Sequence, residues 1–158
     1  MTRRMSRRAP GQPQRLMLVD DEEIDRRLCA RLLRRCALDA ELVGYGNAAE
    51  ALAHLADPAR PPVDAILLDV NMPGIDAFGF LDRLDALDAP WIDGVPVFVL
   101  LTTPLPPARA ARARACPRVR GFLEKPLDLA SLMTALGDAA HLPTAVPRVA
   151  EERRALRS

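Results

Sequence analysis

The sequence predicts an α/β fold: one sheet of five parallel strands, doubly wound, with five helices covering both faces. Two observations predict it. Short aliphatic runs alternate five times with segments whose apolar residues recur at helical spacing. The clearest strand, Val63 to Leu68 within VDAILLDVNMPG, is apolar on both faces, as a strand covered by helices on either side has to be. Right-handed crossovers then put every strand's C-terminal end along one edge, outside which such sheets bind ligands.

The elements follow in order. Residues 1–14, MTRRMSRRAPGQPQ, carry four arginines, two prolines and no acid, and read as a disordered basic arm. LMLV at 16–19 is a strand ending at Asp20 and Asp21. Ile24, Leu28, Leu32 and Cys36 recur at four-residue intervals, which predicts an amphipathic helix with arginines on its other face. ELVGY at 41–45 is a weaker strand, after which Asn47 caps a helix with Ala48, Ala51, Leu52 and Leu55 on its apolar face. The strand at 63–68 is followed by a helix through Phe80, Leu81, Leu84 and Leu87 that closes near Pro90. VPVFVLL at 95–101 and VRGFL at 119–123 are the last two strands, separated by a short, proline-bracketed, arginine-rich helix. Asp128 caps the final helix, with Leu132, Met133 and Leu136 inward, and 141–158 is a short tail.

Composition narrows the function. The chain has 158 residues, 49% hydrophobic and 27% charged, enough for one real core. A net charge of +1 gives no reason to expect nucleic acid binding, and no apolar run is long enough to span a bilayer. No signal peptide is visible, so the cytoplasm is the expected location. Cys29, Cys36 and Cys116 lack metal or redox spacing and read as small apolar residues; His54 and His141 read as surface or satisfied groups. Of 22 basic residues only Lys125 is a lysine, a hint that an ammonium is needed there.

The strand tips carry the chemistry. The first delivers Asp20 and Asp21, the third Asp69, the fourth Thr102 or Thr103, the fifth Lys125 and then Pro126. Converging carboxylates without a counter-charge repel one another, whereas an oxygen-only set suits Mg²⁺ shared with a phosphate oxygen. A lysine and a hydroxyl complete a pocket for a phosphoryl group.

LVDDEE at 18–23, LLDVNMPG at 67–74, LT at 101–102 and GFLEKP at 121–126 resemble the receiver domains of two-component response regulators. The resemblance covers residues 15–140, roughly Arg15 to Ala140, and is to the stand-alone, CheY-like (flavodoxin-like) type. It implies that Asp69 accepts a phosphoryl group from a sensor histidine kinase or phosphotransfer protein, in a two-component system or phosphorelay. It further implies Mg²⁺ held by Asp21 directly, Asp20 mostly through water, Asp69, and the backbone carbonyl of Asn71, presented by the Met72-Pro73-Gly74 turn. Lys125 neutralises phosphoryl charge ahead of a cis Pro126, while Thr102 and Phe122 form a switch read by a downstream protein effector. The protein is then an acceptor and not an enzyme, at most a slow autophosphatase.

Some positions depart from that pattern. Strand four is one residue longer than the commonest spacing, which leaves Thr103 as a second candidate hydroxyl. Ala77 stands where glycine is usual and would be strained at positive φ. Pro104 offers no group to orient a hydrolytic water near the acceptor. The five arginines of 106–120 read either as a solvated face or as a dock for an acidic partner. Two other functions compete. A small Mg²⁺-dependent phosphatase with an aspartate nucleophile usually has a second aspartate where Asn71 stands. A phosphorylation-independent interaction module, or pseudo-receiver, would lack Asp69, Lys125 or the acidic pair. A homodimer stays open.

Overall fold

The computed structural model describes residues 14–35 and 40–140. The elements are β1 (Gln14–Val19), α1 (Glu23–Arg35), β2 (Ala40–Tyr45), α2 (Ala48–Ala56), β3 (Ala65–Asp69), α3 (Ala77–Asp85), a 3-10 turn (Pro90–Ile92), β4 (Val97–Leu101), α4 (Pro107–Ala115), β5 (Val119–Glu124) and α5 (Leu129–Ala140). All strand pairs are parallel, in the order β2-β1-β3-β4-β5. The chain leaves β1 for one neighbour and returns past it to the other. Between β1 and β3 the crossovers therefore diverge, which opens a crevice at the C-terminal edge.

Period-two alternation divides the core into two layers. Met17, Val19, Ile66, Leu68, Val97 and Val99 face a layer closed by Ala51 and Leu55 of α2 and Phe80 and Leu84 of α3. Leu16, Leu18, Ala65, Leu67, Phe98 and Leu100 face the other, closed by Cys29 and Leu33 of α1 and Leu132 and Ala135 of α5. No described helix is long and apolar enough to cross a membrane. Caps match the sequence: Asn47 accepts from the Glu50 amide at 2.9 Å and Asp128 from the Ser131 amide at 2.8 Å.

Two helix faces differ from the expected ones. In α1, Ile24 is 68% and Leu28 42% exposed, whereas Cys29 and Leu33 are buried and Leu32 is half-buried. The helix is rotated by about one residue, some 100°, because it carries two apolar stripes at the same period. Polar contacts of Asp25 and Arg26, described below, decide between them. Cys36 lies outside the described residues. In α5, Met133 is 40% exposed and Ala135 takes its place in the core, because Leu132 and Ala135 fill the layer beneath α1. The side chain of Leu136 lies outside the described residues, as do His141 and the tail. Helix α3 stops at Asp85, short of Pro90, and Ala89, Ile92 and Val95 plug the end of the layer instead. The third strand begins at Ala65, after a buried Val63, and includes Asp69.

His54 is buried and doubly satisfied, 2.7 Å from the Tyr45 hydroxyl at Nδ1 and 2.9 Å from the Pro61 carbonyl at Nε2. The arginine-rich helix is not a free basic face. Arg112 reaches Asp82 at 3.2 Å, Arg118 reaches Asp85 at 2.8 Å, and Arg109 lies 3.8 Å from Asp76. The Arg109 and Arg112 guanidinium groups also stand 5.0 and 4.6 Å from the Phe78 ring centre. The helix is laid against α3 by arginines that use both charge and planar stacking.

The rotation of α1 is testable by chemical denaturation. Leu33→Ala should cost roughly 2–5 kcal/mol, and Leu28→Ala under about 1 kcal/mol. Equal costs would contradict the rotated face.

Candidate functional site

The tips of β1, β3 and β5 meet at the C-terminal edge. Beyond Val19, the Asp20 amide still donates to the Tyr45 carbonyl at 3.0 Å, so Asp20 is held as a strand residue. Its Oδ1 accepts from the Glu22 amide at 2.9 Å, shaping the turn into α1. Arg26 donates to the Asp20 carbonyl at 2.6 Å and lies over Gly44 and Gly46, where an added Cβ would come within 3.3 and 3.2 Å of it. Those glycines leave room for the guanidinium that fixes the first acidic turn.

Asp20 and Asp69 are buried and Asp21 is the most open of the three. One oxygen from each lies within 4.8 Å of the others, a cluster able to hold a metal ion. Three hard oxygen donors fit a small divalent cation, not a soft one. Asn71 is exposed, and its amide lies 3.4 Å from Asp69 Oδ1. The turn that follows has positive φ, 77°, at Gly74, and no other described residue than glycine takes a positive φ, so Ala77 is unstrained at the start of α3.

Lys125 closes the site. Its amide donates to the Leu101 carbonyl at 2.8 Å, extending the β4–β5 ladder, and its peptide to Pro126 is cis, as the resemblance implied. The ammonium lies 2.9 Å from Asp20, 2.8 Å from Asp25 and 3.5 Å from Asp69, with its side chain only 8% exposed. Burial pulls its pKa down, but the hydrogen bonds to Asp25 and Asp20 and the charges of Asp20 and Asp69 more than reverse this, leaving it above the ordinary lysine value. For Asp69, burial and then the Asp20 charge outweigh Lys125 and the Asn71 amide, and the pKa rises from 3.8 to about 6.

Of the residues singled out from sequence, Asp20, Asp21, Asp69 and Lys125 converge. Thr102 and Thr103 follow β4 directly and are exposed. Phe122 is half-buried against the α2/α3 layer, with Arg114 6.0 Å from its ring centre. Asp25 was not foreseen. It stands four residues before Cys29 and eight before Leu33, on the stripe that α1 turns inward.

Together these features define an α/β domain with a carboxylate cluster able to hold a cation and a buried ammonium beside it. The chain belongs to the response regulator receiver domain family of two-component signalling, whose sequence model matches residues 16–137. It is 33% identical over 135 residues to the sensory/regulatory protein RpfC of Xanthomonas campestris pv. campestris, covering 84% of this chain but only 17% of that protein. Among solved structures, the Mn²⁺-bound form of response regulator Rcp1 is 25% identical with a TM-score of 0.64, covering 82% of this chain and 94% of that one. The phosphorylated cyanobacterial phytochrome response regulator RcpA is 27% identical with a TM-score of 0.61, over 77% and 87%.

The raised pKa of Asp69 has a consequence for the metal-free protein. The folded chain holds a proton on Asp69 up to about pH 6, while the unfolded chain releases it near pH 4. Stability therefore falls as pH rises through that window and stays lower above it. Asp69→Asn should raise the stability by roughly 1–3 kcal/mol at pH 8 in chelator, with the gain vanishing below about pH 4. Thermal melts across pH test this; a gain that persists at low pH contradicts it.

Proposed function

We propose that this domain takes a phosphoryl group onto Asp69 from a phosphohistidine of a sensor histidine kinase or phosphotransfer protein, and that the change is read by a downstream protein. The observation that carries the reading is the meeting of Asp20, Asp21 and Asp69 with the single lysine at the sheet's C-terminal edge. The Mn²⁺-bound and phosphorylated relatives support the choice of ligands. Mg²⁺, held by Asp20, Asp21, Asp69 and the Asn71 carbonyl, would supply charge neutralisation for the transferring group.

The chain's own residues do the rest. An Asp69 oxygen attacks phosphorus, the P–N bond to the donor imidazole breaks, and the imidazole leaves with its electron pair. The rigid strand under Asp69 aims the nucleophile, and Lys125 offsets the added charge on the phosphoryl oxygens. The β4–β5 ladder ends with Leu101 paired to Glu124, immediately before Thr102 and Lys125, which favours Thr102 over Thr103 as the hydroxyl that turns to the phosphoryl group. Phe122, partly buried behind it, would respond by moving inward and alter the surface offered to the effector. Domain limits of 15–140 fit this function.

Incubation with Mg²⁺ and acetyl phosphate, followed by intact mass measurement, tests the reading. A gain of one phosphoryl group is expected, absent in Asp69→Asn and without chelatable metal. No adduct, with partner binding retained, would favour an interaction module; steady phosphate release from many esters would favour a phosphatase. The adduct should also persist for minutes, since Pro104 cannot orient water; loss within seconds would contradict that role.

A further inference from the structure

We propose that Asp25 is a positioning residue for this site: its carboxylate holds the Lys125 ammonium to one side of Asp69, keeping the acceptor open to a divalent cation. The inference rests on the cation-binding, phosphoryl-accepting reading above and names a part of the site that reading does not use.

Four observations carry it. The ammonium makes charge-assisted bonds to Asp25 at 2.8 Å and Asp20 at 2.9 Å, while Asp69, the carboxylate it would have to neutralise, stands off at 3.5 Å. Asp25 is outside the oxygen cluster formed by Asp20, Asp21 and Asp69. It is thus the one anion near Lys125 whose bond does not compete with a cation for the same oxygens. Its mount is stiff, because it sits in the first turn of α1 and the adjacent Arg26 ties that turn to the Asp20 carbonyl. Finally, Asp25, Asp20, Cys29 and Lys125 line one cavity of about 250 Å³ that Asp69 does not border, so Asp25 meets the ammonium from a space apart from the acceptor.

Without the Asp25 charge, two effects point the same way. The ammonium closes on Asp69 and Asp20 and competes with the cation, and the site loses one negative charge nearby. Only the first acts through Lys125, so a double-mutant cycle separates them.

The probe is Mn²⁺ alone, titrated by calorimetry into unphosphorylated protein. Asp25→Asn should weaken binding about three- to tenfold, and Asp25→Glu should recover most of it. In a Lys125→Met background the same Asp25→Asn change should matter less than about twofold. An equal loss in both backgrounds overturns the proposal, leaving only long-range charge; so does no loss in the wild-type background. Because Lys125→Met could fail to fold, a second measurement uses the ¹⁵N signal of the chain's single lysine side chain. Asp25→Asn should shift it and speed its proton exchange with water, and an unchanged signal overturns the proposal. A wild type that binds no Mn²⁺ overturns both this and the functional reading, whereas a binding wild type with an additive cycle overturns this alone.

Discussion

One buried ammonium sets the character of this domain. Lys125 is surrounded by Asp20, Asp25 and Asp69 at the edge of an otherwise apolar sheet. Carboxylates so placed repel one another and lose hydration, and each needs a counter-charge. A single cation cannot serve three. Asp20 and Asp25 take the short bonds, and at Asp69 burial and then the Asp20 charge outweigh the more distant Lys125, which pushes its pKa up to about 6. The fold thus leaves Asp69 short of positive charge, within an oxygen cluster that is able to hold a divalent ion.

How these groups meet follows from strand alternation. Leu18, Leu67, Leu100 and Leu123 all face the α1/α5 layer. Two residues further along, in the same sense of the pleat, come Asp20, Asp69, Thr102 and Lys125. Asp20, Asp69 and Lys125 thus come to the same side, whereas Thr102, two residues beyond the register partner of Asp69, lies exposed past the end of β4. Helix α1, which closes that side, is the element whose first turn reaches them. The opposite layer receives Phe122 and the aliphatic residues packed on α2 and α3.

Legibility in the sequence followed the same physics. Asp20, Asp21, Asp69 and Lys125 were visible because they stand together at successive apolar strand tips; an acidic pair alone is common on surfaces. The sheet was visible because its strands are apolar on both faces. Asp25 was hidden, since an acid early in a helix is expected for the helix dipole alone. The rotation of α1 was hidden for a related reason. Ile24, Leu28 and Leu32 make as good a stripe as Asp25, Cys29 and Leu33, and only tertiary contacts with Lys125 and the Asp20 carbonyl choose between them. The placing of Arg109, Arg112 and Arg118 on acids of and beside α3 depends on non-local geometry, so a run of arginines could be read equally well as solvated or as sticky.

That last arrangement has a mechanical meaning. Phe78 is flanked by Arg109 and Arg112, and Asp76 and Asp82 lie against the same arginines, so side chains join α3 and α4 into a panel beside the sheet. The loop after Asp69 leads into one half of the panel and the loop after Thr102 into the other. The clasps are exposed, so their grip loosens as ionic strength rises, and the stiffness of the panel becomes a property of the surrounding electrolyte as well as of the chain.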